Sequence, residues 1–426
     1  MFLRAGVLAL CMVPHMVTFS APLPDPLTLQ YAIKLVDEPH PAVSAQLAKI
    51  KVGQAELAAV SARKGLNAHL DLYPQYGRFA AARDRDLKGD SIARLTLLQP
   101  ITDFGRRDAL MQAAGAEVKH NEILLSDLQA QRRIEITRLF FDVLLADLRF
   151  HVEDEIMTSL FGPYDRARER AELGMVSQVD LLRLETEFRE ALIPRARSDH
   201  ERRIARIRLA IALNRPNEIP ANLVRPKFAD LEKELPEYDQ LVEAALSNNP
   251  KLSALREKVT AAQHTVLAQR ALRRPVLSGG LELTEWEQEV GSRSDVLLGL
   301  RLRVPIYQGG TEKVAVAKAE AELASRKADL ELMEIELKHS ILEVLHKLET
   351  LKTARRTSQT RLQFRELAAD EQRAKYEMEV QTTVGASVAR LTEADFLAMK
   401  TEFETVINWM QLDALRGQIA SILTEK

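Results

Sequence analysis

The sequence predicts a mainly α-helical chain with a small β part, built as a duplicated helix, β-hairpin and long helical hairpin. Three observations carry this. Ala, Leu, Glu, Arg and Lys dominate, while aromatic residues make up only 5% of the 426, a composition of long helices rather than of compact sheet cores. From Thr311 to Met378 neither glycine nor proline occurs. Finally, the chain repeats itself: Pro41 and Pro250 stand 209 residues apart, as do Ala62 and Ala271, and Pro100 and Pro305 stand 205 apart, as do Gly105 and Gly310. One loop is thus shorter in the second copy.

The N-terminus, MFLRAGVLALCMVPHMVTFSAPLPDP, has a positive Arg4, an apolar centre from Ala5 to Val13 and small residues at Ser20 and Ala21. This pattern predicts a secretory signal peptide over 1–20. The single cysteine, Cys11, lies inside it and follows Leu10 rather than a small residue, which argues against a lipid anchor there. The mature chain would then have no thiol chemistry.

The first repeat is expected over 27–215, with a helix at about 41–65, a β-hairpin at about 68–100 and a helical hairpin over 105–214. The strands LNAHLDLY and ARLTLLQ alternate imperfectly. The long helix, 106–171, contains Gly162 and Pro163, where a kink or joint is expected. A proline-spaced linker, 216–236, leads to the second repeat over 237–424. There the order recurs: a helix at 250–272, a β-hairpin at about 275–305 and a helical hairpin over 310–423. Its strands alternate well, with Leu298, Leu300, Leu302 and Val304 on one face. The long helix would reach roughly 100 Å at 1.5 Å per residue. The strand-to-helix corners QPITDFGRR and VPIYQGGTE share a logic: Pro100 and Pro305 would end the ladder by lacking an N–H, and Gly105 and Gly310 would permit the reversal into a helix.

Outside the N-terminus no apolar run approaches the ~18 residues of a spanning helix. Any membrane passage must use strands. Four strands cannot close a barrel, which needs about eight, so several chains must combine, and three would supply 12.

The NNP and PHP helix openings, the two corners and the ELGMVSQVDLLRLE turn together resemble the TolC family of outer-membrane efflux proteins, over essentially the whole mature chain. The resemblance implies a homotrimer whose 12-strand barrel spans the outer membrane of a Gram-negative bacterium and continues as a periplasmic α-helical barrel. It implies a passive exit duct of a tripartite efflux or type I secretion system, partnered by a periplasmic adaptor and an inner-membrane transporter. It also implies an adaptor-docking tip at Leu173, Gly174 and Met175, and gate positions at Asp180, Tyr376 and Gln381. The second tip departs from the family: Glu379 stands where a glycine is expected and Gln381 where an arginine is expected, and neither Gly385 nor Val388 supplies a constriction-ring acid.

Plainer roles compete at each position. Gly174 reads as a helix C-cap, Asp180 as the N-cap or first-turn acid of the returning helix and Tyr376 as a packing residue. His339 and His346 read as a solvated helix face rather than a metal site. Arg106 and Arg107 open a helix and could meet lipid phosphate.

Charge is balanced, 59 basic against 61 acidic residues, so no basic field argues for nucleic acid. Phosphate loops, nucleophile elbows and metalloprotease motifs are absent from the sequence. The carboxylates Glu153, Asp154 and Glu155 fall in a helical charge run. The expectation is therefore a protein that is not an enzyme and holds no cofactor. Two other classes fit some features: a periplasmic adaptor and a secreted structural coiled coil.

Overall fold

The structure, a computed structural model, describes residues 22–77, 88–228, 231–287, 294–378 and 385–418. The expected signal peptide with Cys11, both hairpin loops, and Glu379 and Gln381 of the second tip lie outside these residues.

The chain begins with α1 (Leu29–Lys34) and a 3-10 turn at Leu35–Asp37. α2 (Pro41–Ala62) follows, then β1 (Asn67–Tyr73), the short strands β2 (Tyr76–Gly77) and β3 (Lys88–Gly89), and β4 (Ile92–Thr102). The helices α3 (Arg106–Glu172) and α4 (Gln178–Ala212) complete the first copy of the order. The second copy runs through α5 (Tyr238–Asn248), α6 (Pro250–Arg270), β5 (Val276–Trp286), β6 (Val296–Arg303), α7 (Thr311–Glu377) and α8 (Gly385–Leu415).

Both α3 and α7 are 67 residues long, about 100 Å at the helical rise. The expected joint at Gly162 and Pro163 does not form, because α3 is continuous through Pro163. One missing amide costs a single ladder bond, and packing on both sides of it holds the rod: Phe188 of α4 meets Phe161 at 5.4 Å and stacks on Tyr164 at 5.6 Å, while Gly385 at the start of α8 sits so close to Ser159 that an added Cβ would lie 2.9 Å from it. Pro194 is likewise absorbed inside α4.

Near its start α3 lies against α2 and α6. Gly53 opens the approach to Val118, His120 Nδ1 is 2.8 Å from the carbonyl of Ala254 and Lys258 pairs with Glu117 at 2.7 Å. Farther along α3, α4 is held by Arg206 to Asp147 at 2.6 Å and by Arg195 to Asp154 at 2.9 Å.

Among the described residues the largest apolar side chains are not spread evenly along the rods. Large buried apolar side chains gather instead where α1, α5 and the inter-repeat segment wrap the middles of the long helices. Phe141 of α3 stacks on Phe403 of α8 at 4.1 Å and 13°, and Phe228 of the inter-repeat segment meets both edge-on. Around them lie Leu27, Phe140, Leu209, Leu241, Ile341 and Met410. The segment is pinned by backbone as well, since Leu27 N–H donates to Asn222 O and Val224 N–H donates to Leu27 O. What the sequence suggests as a spacer is therefore part of a girdle.

Proline at the first helical position with a capping residue before it explains the PHP and NNP openings. Asn249 Oδ1 accepts from Leu252 N–H at 3.0 Å, and His40 Nδ1 accepts from Ala42 N–H at 3.1 Å. Only a neutral imidazole can accept there. Burial, aided by the Arg132 guanidinium and opposed by Glu135, holds the His40 pKa below its ordinary value. The sign follows: the unfolded chain takes up the proton more readily, so stability is full above about pH 6.5 and falls as pH drops through the lowered folded value. The thermal midpoint should decline between pH 7.5 and 5 more steeply in the native protein than in His40→Asn, whose cap does not titrate. Parallel midpoint curves would disprove this role.

Candidate functional site

Three places carry the chemistry: a sheet, two corners and a tip. The strands form one antiparallel sheet in the order β1-β4-β5-β6, so the two repeats join through β4 and β5. Register sorts the side chains into faces. Leu70, Leu95 and Leu283 share one row with Val296, and Ala68, Leu97 and Leu281 share the next alternate row with Leu298. The rows between them put His69, Thr96 and Glu282 with Leu297, and Asp71, Arg94 and Thr284, on the opposite face. Arg94 bridges to Glu282 at 3.0 Å on that face.

One face is therefore aliphatic and the other polar. The aliphatic face is uncovered: Leu298 is 81% and Leu300 75% exposed, with Leu70 and Leu72 close behind. Both outer strands, β1 and β6, have no strand neighbour on their far side among the described residues. Such a sheet is unsatisfied twice over, in apolar area and in backbone hydrogen bonds.

At the corners, Gly105 has φ +96° and caps α3, and Gly310 has φ +79° and caps α7. That left-handed geometry is where a Cβ is penalised. Asp103 Oδ2 accepts from Arg107 N–H at 2.9 Å and secures the first of these helix starts. Pro100 corrects the expectation placed on it. It does not end the ladder, because β4 continues to Thr102; the register shifts between Pro100 and Thr102 instead. A bulge tolerates the missing donor. Pro305 lies two residues beyond the end of β6.

The first tip is an exposed turn. Gly174, φ +70°, closes α3 with its N–H donating to Ala171 O while Met175 N–H donates to Arg170 O at 2.9 Å, a six-to-one helix cap. Leu173 and Met175 flank it at 71% and 72% exposure. Ser177 caps α4: its Oγ accepts from Asp180 N–H at 3.1 Å and donates to Asp180 Oδ2 at 2.7 Å. Asp180 is thus the first-turn acid of α4, bonded within its own turn. Tyr376 lies half-exposed in the last turn of α7.

Other candidates disperse. His339 and His346 face Glu343 and Glu349 on their own helix at high exposure, and no cluster of metal-ligating side chains occurs among the described residues. Glu153 is held by Arg149 and Asp154 by Arg195. No described helix is long and apolar enough to cross a membrane.

Residues 241–399 match the family described as outer membrane efflux protein. Among curated proteins, the chain is 24% identical over 295 residues to Protein CyaE of Bordetella pertussis, covering 66% of this chain and 62% of that one. It is 23% identical over 263 residues to the Proteases secretion protein PrtF of Dickeya chrysanthemi, covering 58% and 57%. The matched stretches therefore span less than two thirds of those relatives. Solved structures extend the likeness in fold. The Campylobacter jejuni CmeC outer membrane channel superposes with a TM-score of 0.76 at 14% identity over 93% of this chain and 87% of that one. CusC, described as forming a transmembrane channel, superposes at 0.74 and 13% over 92% of each. The repeated helix–strand–helix order is that of these channels and not the single helical hairpin beside a small barrel-like domain expected of an adaptor. Residues 241–399, in the second repeat, thus match the outer membrane efflux protein domain, and over nine tenths of its length the chain has the fold of these solved channels.

Proposed function

We propose that the protein is the outer-membrane channel of a tripartite efflux or type I secretion system. The observation that carries the proposal is the sheet: four strands, an uncovered aliphatic face, a polar face behind it and two unpartnered edges. Edge strands cannot stay open in lipid, so β6 of one protomer pairs with β1 of the next. Three protomers close a 12-strand barrel with the leucine rows toward lipid and the polar rows toward the lumen. The long helices continue the duct into the periplasm of a Gram-negative cell.

The chain carries cargo passively and performs no catalysis. Leu173, Gly174 and Met175 form the docking turn for a periplasmic adaptor, which links the duct to an inner-membrane transporter. Asp180, Tyr376 and Gln381 act at the closable mouth, and adaptor contact favours the dilated state through its greater affinity for it. The name of PrtF records protease secretion for that relative, which supports polypeptide cargo.

Membrane fractionation with carbonate extraction, combined with crosslinking, tests this directly. The protein is expected in the carbonate-resistant outer-membrane fraction at three times the protomer mass. Recovery as a soluble periplasmic monomer would refute the channel.

A further inference from the structure

We infer that Arg301 and Arg303 form an anion-binding ring at the helical end of the barrel and select for anionic cargo or segments of cargo. This rests on the channel assignment and adds a site to it. The two side chains alternate with Leu300 and Leu302, so they share the polar face of β6, where Arg301 lies opposite Ser278 and Arg303 opposite Val276. Both are exposed. They stand about 7 Å apart at the strand rise, two like charges at the foot of each β6.

Among the described residues, no ion pair is made to either of them. Two acids of the strands share that face: Asp71, in the row of Arg94 and Thr284, lies farther from the helical end than Glu282, which itself lies opposite Leu297, four residues up the strand from Arg301. That is about 13 Å, beyond the ~8 Å screening length at physiological salt, and Glu282 is already bound to Arg94. Below the sheet, Asp103 accepts from the Arg107 backbone and Glu312 faces Arg273 at 3.7 Å. Pro100 and Ser278, the polar-face neighbours of Arg301 across the sheet, are uncharged. Closing three protomers into one barrel brings six guanidiniums around one lumen. Guanidinium forks match carboxylate and phosphate oxygens in pairs, and a low-dielectric wall focuses their field on the axis. The ring therefore holds multivalent anions in preference to cations.

The test is block of single-channel current by tripolyphosphate, with the full-length trimer reconstituted in planar bilayers at 0.1 M KCl. Tripolyphosphate is expected to block the native channel. In Arg301→Gln/Arg303→Gln the half-blocking concentration should rise at least tenfold, while Arg301→Lys/Arg303→Lys should retain block within a few-fold. Equal block of the native and glutamine channels would overturn the ring and leave the channel assignment intact. Absence of single-channel steps from the native protein would overturn the channel assignment and the ring with it. Should the glutamine variant fail to insert, salt decides: raising KCl to 1 M shortens screening to about 3 Å and must release the block of the native channel, whereas persistence would overturn the ring.

Discussion

Leu281→Arg is expected to abolish outer-membrane insertion. Leu281 sits on the central strand β5, in register with Leu97 on one side and Leu298 on the other, in the middle of the aliphatic face. An arginine facing lipid near the bilayer midplane costs about 2–4 kcal/mol. Three protomers bring three such charges to one barrel, roughly 6–12 kcal/mol against a folded state worth about 5–15. The trimer should disappear from the carbonate-resistant fraction and crosslinking should yield monomer. The contrast lies one row away. Thr96→Arg adds the same side chain on the polar face, beside His69 and Glu282, and should insert at near-native levels. Equal insertion of the two variants would mean that the leucine rows do not face lipid.

That face was half legible in the sequence. Strand β6 alternates cleanly and declares Leu298, Leu300 and Leu302 on one side, whereas β1 and β4 alternate poorly and their faces emerge only from register against β5. The pairing of β4 with β5, which welds the two repeats into one sheet, is a long-range choice with no local signal. The corners were readable because Gly105 and Gly310 need left-handed geometry. Pro100 misled: a proline within a strand normally marks an end, and its accommodation by a register shift depends on the partner strand. Pro163 misled in the same manner, since its neighbours Phe161 and Tyr164 pack on Phe188 of α4, a long-range contact with no local signal. At the tip, Gly174 reads as a helix C-cap and is one, whereas the N-cap of α4 is Ser177, which the sequence reading passed over, and Asp180 is its first-turn acid. Arg301 and Arg303 carried an overlooked signal, two like charges at spacing two opposite leucines. The girdle was invisible for a different reason. Apolar residues are spread along rods, and only the wrapping of α1, α5 and the inter-repeat segment singles out Phe141, Phe228 and Phe403 as its centre.

The C-terminal end of α8 shows what such packing costs to disturb. The apolar pattern suggests a helix reaching Leu423, yet α8 stops at Leu415. Gly417 is responsible, with φ +70° and a cap in which its N–H donates to Ala414 O and Gln418 N–H donates to Asp413 O. The cap is docked: a Cβ at Gly417 would lie 2.1 Å from the backbone oxygen of Asn248, and Asn249 Nδ2 donates to Leu415 O at 3.0 Å. Asn249 also caps α6, so one junction fixes the ends of α5, α6 and α8. Gly417→Ala combines about 1–2 kcal/mol of left-handed strain with a clash against backbone that cannot rotate away. Relief requires withdrawing the cap, and about 1 kcal/mol is lost for each of the two or three hydrogen bonds that leave with it. The sum, roughly 3–5 kcal/mol, falls in the range where single substitutions cripple folding. Gly310→Ala is the control, since a Cβ there meets nothing within 4 Å despite φ +79°, leaving about 1–2 kcal/mol of strain alone. Amide exchange at Asn249 and Leu252 reads the difference: protection should collapse in Gly417→Ala and persist in Gly310→Ala. Retained protection in both would show that the helix end shifts freely, and the junction would then be a passive contact rather than the clamp that sets where α8 ends.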